Sequence, residues 1–222
     1  MVRAVSKKGK GFSFSIPQKS KTFLIKLLLV VIVSTLVIID TIQRTKRSAA
    51  IPIDPLRVQG EITAPLHITQ YVDFKSPECA RGYFLLQDYM TKYPHQILLQ
   101  TKHFPFTEQG VSALTAAVYV HCSAEQNKFV PFQDLVWQRQ PQWEKFHDVA
   151  PLLKVIANEA KLDLDQLGAC VKNAHSINYV LTERDYAEAL FVKGTPTYSL
   201  NGEMAVGVQE LQMKLDAYFV KK

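Results

Sequence analysis

Cysteine is scarce in this 222-residue chain, at three, and glycine at nine is too sparse to build a Gly-rich phosphate loop. No Gly-x-Ser-x-Gly elbow is present and the acids form no paired-carboxylate motif. The six histidines, His67, His95, His103, His121, His147 and His175, include no i, i+4 pair and no x-x spacing with cysteine. That speaks against a metal site, so they read as surface or satisfied core residues, and no cofactor motif replaces them. Basic charge is missing where a nucleic-acid binder needs it. The formal net charge is +6, but residues 1–48 hold ten Lys or Arg against one acid, and residues 49–222 hold sixteen against nineteen. The larger part is therefore acidic and has no excess with which to neutralise phosphates, which excludes nucleic acid as a partner. Trp137, Trp143, Tyr119, Phe129 and Phe132, lacking a basic groove, read as core packing rather than a base-stacking platform.

What is present divides along the chain. Seven basic residues lie within the first 26, and Phe23 to Ile39 is a run of seventeen with one charge, Lys26, placed where it can snorkel. This reaches the lower limit for a bilayer span, about 17 to 25 residues. The predicted division is a basic cytoplasmic arm at 1–22, a transmembrane anchor at 23–39, a linker at 40–60 containing Pro52 and Pro55, and a folded domain at 61–222. The basic bias places the N-terminus in the cytoplasm and the domain outside it, as in a single-pass protein of a bacterial inner membrane facing the periplasm or exterior. A cleaved secretory signal fits less well, because eight mostly polar or charged residues separate the apolar run from Ser48-Ala49-Ala50.

In the folded part, Leu66 to Phe74 reads as a strand running straight into a helix. Ser76 suits the N-cap, Pro77 the first helical position and Glu78 the first turn, which puts Cys79 at the third helical position. A second strand at 96–104 completes a β-α-β unit, whose crossover demands parallel strands. Residues 111–190 show helical stretches at 111–126, 129–138, 149–161, 164–172 and 177–190 and no convincing strand. Thr197 to Leu200 and Met204 to Val206 then flank Asn201-Gly202, the residue pair of a type I′ hairpin, and a last helix spans about 209–219.

This order resembles the thioredoxin fold with a helical insertion, as in the DsbA-like thiol-disulfide oxidoreductases. The residues that carry the resemblance are Tyr71-Val72-Asp73-Phe74-Lys75-Ser76-Pro77-Glu78-Cys79 for the strand and active-site turn, and Val192-Lys193-Gly194-Thr195-Pro196-Thr197 for the cis-proline loop. Ala116 to Phe129 with Cys122, and Leu162 to Cys170, are similar to helices of membrane-anchored and actinobacterial-type members. The expected fold class is thus α/β, thioredoxin-like, with an N-terminal transmembrane helix. The resemblance implies a structural disulfide between Cys122 and Cys170, a cis bond before Pro196, and a backbone platform at Thr195 and Pro196 for extended polypeptides.

One position departs from the family. Ser76 stands where the nucleophilic first cysteine belongs, and a hydroxyl forms no disulfide, so a dithiol cycle within this turn is closed. Two readings of Cys79 stand. Either it is an inert remnant recessed beneath Ser76, or it is a monothiol centre exchanging with glutathione, a redox partner protein or a client. A third reading of the cysteines makes all three small buried hydrophobes. Functionally, the chain reads as a membrane-tethered protein of thiol-disulfide exchange or envelope protein folding, limited to monothiol chemistry. The alternative is a non-catalytic peptide-binding chaperone or assembly factor for an envelope complex.

Overall fold

The β-branched and aromatic run ending at Val72 forms β2 (Leu66–Val72), and Ile97–His103 forms β3. In the computed structural model, which describes residues 25–39 and 53–220, these two strands pair in parallel from Leu66↔Ile97 to Val72↔His103. A parallel pair needs a crossover, here helix α2 (Pro77–Lys92). β4 (Thr197–Leu200) joins β2 antiparallel, with Tyr71 opposite Thr197, and β5 (Glu203–Val206) closes the hairpin. The turn has the anticipated type I′ form, with φ of 47° at Asn201 and 91° at Gly202. The Asn201 side chain adds a tie that the turn rules do not require: its Oδ1 accepts from the His67 amide and its Nδ2 donates to the Pro65 carbonyl.

With β1 at Val58–Gly60, the sheet has five strands in the order β1-β3-β2-β4-β5. β1 (Val58–Gly60) corrects the expected linker at 40–60, because residues 55–57 form a 3-10 turn capped by Asp54 and residues 58–60 pair antiparallel with β3. Three residues are too few for period-2 alternation to register, and pairing with Leu98, Leu99 and Gln100 holds them.

The insertion comprises α3 (Val111–Ala124), α4 (Phe129–Gln138), α5 (Gln140–Trp143), α6 (Ala150–Glu159), α7 (Leu164–Lys172) and α8 (Ala174–Ala189), before α9 (Gly207–Val220) ends the domain. α5, a single turn with a proline inside, was not foreseen. α8 starts three residues earlier than expected because the Asn173 side chain accepts from the His175 amide and caps it. One core joins Leu66, Ile68 and Val72 to Leu86 of α2, to Leu211 and Leu215 of α9, and to Phe132, Val136, Trp137 and Trp143 of the insertion. On the opposite sheet face a smaller cluster joins Tyr71, Phe104, Ala187 and Val192.

The chain divides into two units, residues 1–45 and 46–222. In the first, residues 25–39 form one helix, α1, whose large apolar side chains are exposed. Among the described residues no helix is long and apolar enough to cross a membrane. The arm at 1–22, residues 23 and 24 of the expected span and residues 40–52 lie outside the described residues.

At His103 and His121 the expectation of surface or satisfied core histidines is corrected, because both sit buried beside an ionic network with ring nitrogens that lack a hydrogen-bond partner. Arg57, 3% exposed, meets Asp54 at 2.7 Å and Glu183 at 3.2 Å, and lies 4.2 Å over the Tyr179 ring. Lys102 Nζ reaches the other Glu183 oxygen at 2.8 Å, and the His103 amide donates to Glu183 at 3.1 Å. With both cations and both carboxylates paired, His103 and His121 sit beside them neutral. Burial, reinforced by the Arg57 charge, holds His121 down to about 4 and His103 well below its ordinary value. Neither ring nitrogen of His103 has a hydrogen-bond partner.

Two outcomes are expected. Cys122 and Cys170 are bonded across 48 residues, so reducing that link should lower stability by roughly 4 kcal/mol on the chain-entropy account, read as a shift in the urea midpoint. Unfolded histidines take up protons near pH 6.5, whereas folded His121 does so only near 4. Unfolding therefore binds protons between those values, and the denaturant midpoint should fall from pH 7 to pH 5, less steeply in His121→Gln.

Candidate functional site

The site lies where β2 ends. Asp73 leaves the strand and its carboxylate accepts from the Lys75 amide at 2.8 Å and the Phe106 amide at 2.9 Å, tying the turn to the loop after β3. Burial raises the Asp73 carboxyl above its ordinary range, with those two amides opposing the shift. Phe74 stacks on Trp137 at 4.5 Å, and the Gln140 amide donates to the carbonyls of Phe74 (2.7 Å) and Ser76 (2.9 Å). The insertion thus grips both sides of the turn.

Ser76 caps α2, its hydroxyl accepting from the Cys79 amide at 3.3 Å. Pro77 follows, exposed, and Glu78 pairs with Arg81 one turn on. Cys79 is a free thiol with 0% exposure. Two effects compete on it: the helix N-terminus favours a thiolate, whereas desolvation opposes any charge. Burial wins and pushes the thiol up to about 11, against the Ser76 hydroxyl. At neutral pH Cys79 is therefore a covered, protonated thiol.

The Thr195–Pro196 bond is cis. Pairing of Tyr71 with Thr197 carries this loop to the end of β2 beside the turn. The Pro196 carbonyl accepts from the Gly207 amide at 2.9 Å, but no backbone hydrogen bond to Thr195 is made among the described residues. Close approach of β4 to α2 explains Gly82, where an added Cβ would clash with the Tyr198 hydroxyl. Ser76, Pro77, Glu78, Cys79, Thr195 and Pro196 are thus brought together. Cys122 and Cys170 are not part of this group; they bond α3 to α7. No cluster of metal-ligating side chains occurs among the described residues.

Sequence reasoning missed Gln140, Gly82 with Tyr198, and the role of Asp73. Asp73 directly after a strand and before a capped helix was the available signal; the others left none, because their partners lie many residues away.

A sequence model of thioredoxin matches residues 54–217. The chain belongs to the thioredoxin family. Within it, this thioredoxin-family chain is 24% identical over 201 residues to a probable disulfide bond formation protein D of Bacillus anthracis, covering 84% of this chain and 92% of that one. It is 27% identical over 164 residues, 73% of its length, to a Na(+)/H(+) antiporter NhaA of Salinispora tropica, where the match occupies 24% of the antiporter. The chain thus spans about a quarter of the length of the antiporters it matches. Among solved structures, alpha-DsbA1 of Wolbachia pipientis shares the fold with a TM-score of 0.65 at 20% identity, over 79% of this chain and 96% of that one. The thioredoxin-like, DsbA-like fold with a mixed sheet is therefore established.

Ser76→Ala removes the α2 cap and should destabilise the domain by about 1 kcal/mol in a denaturant titration.

Proposed function

We propose that this protein is a membrane-tethered, extracytoplasmic DsbA-like domain that holds extended or unfolded polypeptides during envelope protein folding or assembly, and that it runs no dithiol cycle. The observation that carries this reading is the covered Cys79 under its Ser76 cap beside a cis Thr195–Pro196 loop with an unused Thr195 backbone. Main-chain pairing needs only that loop, whereas exchange chemistry needs a sulfur that a disulfide can reach in line. Glutathione or a redox partner meets the same obstacle, because a thiol at about 11 with 0% exposure supplies almost no attacking thiolate at pH 7.

The tether is the apolar run at 23–39 behind its basic arm, which orients the domain away from the cytoplasm. The antiporter relatives support a workplace at a membrane, since their matching segment belongs to chains named as membrane transporters.

Clients, not electrons, are the substrate on this reading. Ser76→Cys should install a Cys-x-x-Cys turn and gain insulin-disulfide reduction, two thiols being oxidised to one disulfide as one client disulfide is reduced. The wild type should show none, and Cys79→Ala should bind a reduced, carboxymethylated client as the wild type does. A wild-type mixed disulfide through Cys79, or loss of client binding in Cys79→Ala, overturns the proposal.

A further inference from the structure

Side chains alternate faces along β2. Ile68 and Val72 enter the core that holds Cys79, whereas Thr69 projects from the opposite face together with Tyr71 of the smaller cluster. Register sets Thr69 directly between Gln100 of β3 and Ser199 of β4. Three polar residues thus form one rung across the three inner strands of the sheet, and all are buried, at 8%, 3% and 5% exposure. Covered positions on inner strands ordinarily hold β-branched apolar side chains.

Elsewhere this sheet pairs its buried polar groups. Lys102, one rung on from Gln100, meets Glu183 at 2.8 Å, and on the Cys79 face the Gln70 amide donates to the Thr101 hydroxyl at 2.8 Å. The hydroxyls of Thr69 and Ser199 make no hydrogen bond among the described residues. A covered hydroxyl without a partner costs free energy that an apolar group of the same shape would not, so this rung works against folding unless something else meets it.

A cavity of about 120 Å³ lies over the rung, walled by Thr69, Gln100 and Ser199 together with His67, Leu98 and Ile53. The hairpin turn closes one end, where the Asn201 side chain is fixed by its bonds to His67 and Pro65. A cavity of roughly 150 Å³ takes a molecule of about six non-hydrogen atoms such as benzene, so this space suits a guest of that size and excludes one about twice as large. His67 is the only ionisable residue in the described lining, with no carboxylate, lysine or arginine beside it. Charge therefore selects nothing, and the unpartnered hydroxyls set the chemistry. A hydroxyl both donates and accepts, so hydroxyls on the guest satisfy those of Thr69 and Ser199 in either sense.

We propose that this cavity binds a small uncharged polyol of the size of glycerol through the Thr69 and Ser199 hydroxyls. The site lies on the sheet face away from Cys79 and is separate from the holding of polypeptides at the Thr195–Pro196 loop. Two hydroxyls kept at inner-strand positions, where valine and alanine would serve the fold as well or better, are then retained for the guest.

The test uses the full 222-residue chain in mild detergent with glycerol as the probe. Saturation-transfer NMR should show transfer to glycerol that saturates in the millimolar range, the order open to a ligand of about six non-hydrogen atoms. Sorbitol, with the same hydroxyl chemistry and about twice the size, should receive no transfer and should not displace glycerol. Thr69→Val and Ser199→Ala remove one hydroxyl each, and each should weaken glycerol binding about fivefold, the change expected for one hydrogen bond, while the urea midpoint without glycerol stays equal or rises. Transfer that never saturates, or that sorbitol shows equally, assigns glycerol to bulk solvent effects and overturns the proposal. Variants that bind glycerol as the wild type does overturn it too, and a lowered urea midpoint in both variants assigns the hydroxyls to the fold and overturns it as well. The polypeptide-holding reading is decided separately by the client measurements on Cys79→Ala.

Discussion

Parallel pairing of β2 with β3 over seven residues is the constraint on which the site depends. It rules out a hairpin and requires a crossover, so α2 must begin at the carboxyl end of β2 and return along the sheet. That places a helix N-terminus, with its partial positive charge, at the sheet's end. β4 then joins the free side of β2 antiparallel, which delivers the Thr195–Pro196 loop to the same end. Asp73 and Gln140 complete the arrangement by satisfying the amides and carbonyls of the turn between strand and helix.

At Cys79 two physical effects of opposite sign meet, and their outcome decides whether the thiol carries charge. A helix N-terminus would activate an exposed sulfur in the first turn, and Cys79 sits in that turn, but it lies under Ser76 and is wholly covered. Desolvation then dominates and keeps it protonated. Beside it stand a capped turn and a cis Thr195–Pro196 loop whose Thr195 backbone makes no backbone hydrogen bond among the described residues.

Stability elsewhere is organised around this end of the sheet. The Arg57–Glu183–Lys102 network joins a residue just ahead of β1 to α8 across 126 positions and to β3. Burying ions gains little against apolar packing, but removing one partner leaves a charge uncompensated, so the network acts mainly as a specific lock between the start of the domain and the insertion. The disulfide from α3 to α7 closes the remainder of the insertion.

Local chemistry determined much of this protein from sequence alone. Ser76 and Pro77 specify a helix start, Asn201-Gly202 specifies a type I′ turn, and Ser76 in place of a cysteine excludes a dithiol cycle, because each rule acts within a few residues. The order of elements was legible from local patterns and resembled the DsbA-like family, and that resemblance implied the Cys122–Cys170 bond, which the structure contains. Only tertiary structure decided whether Cys79 meets solvent, that residues 58–60 form an edge strand and that Gln140 grips the turn. Burial, desolvation and long-range pairing are set by residues that fold into contact from tens of positions away, and no local pattern in the chain records them.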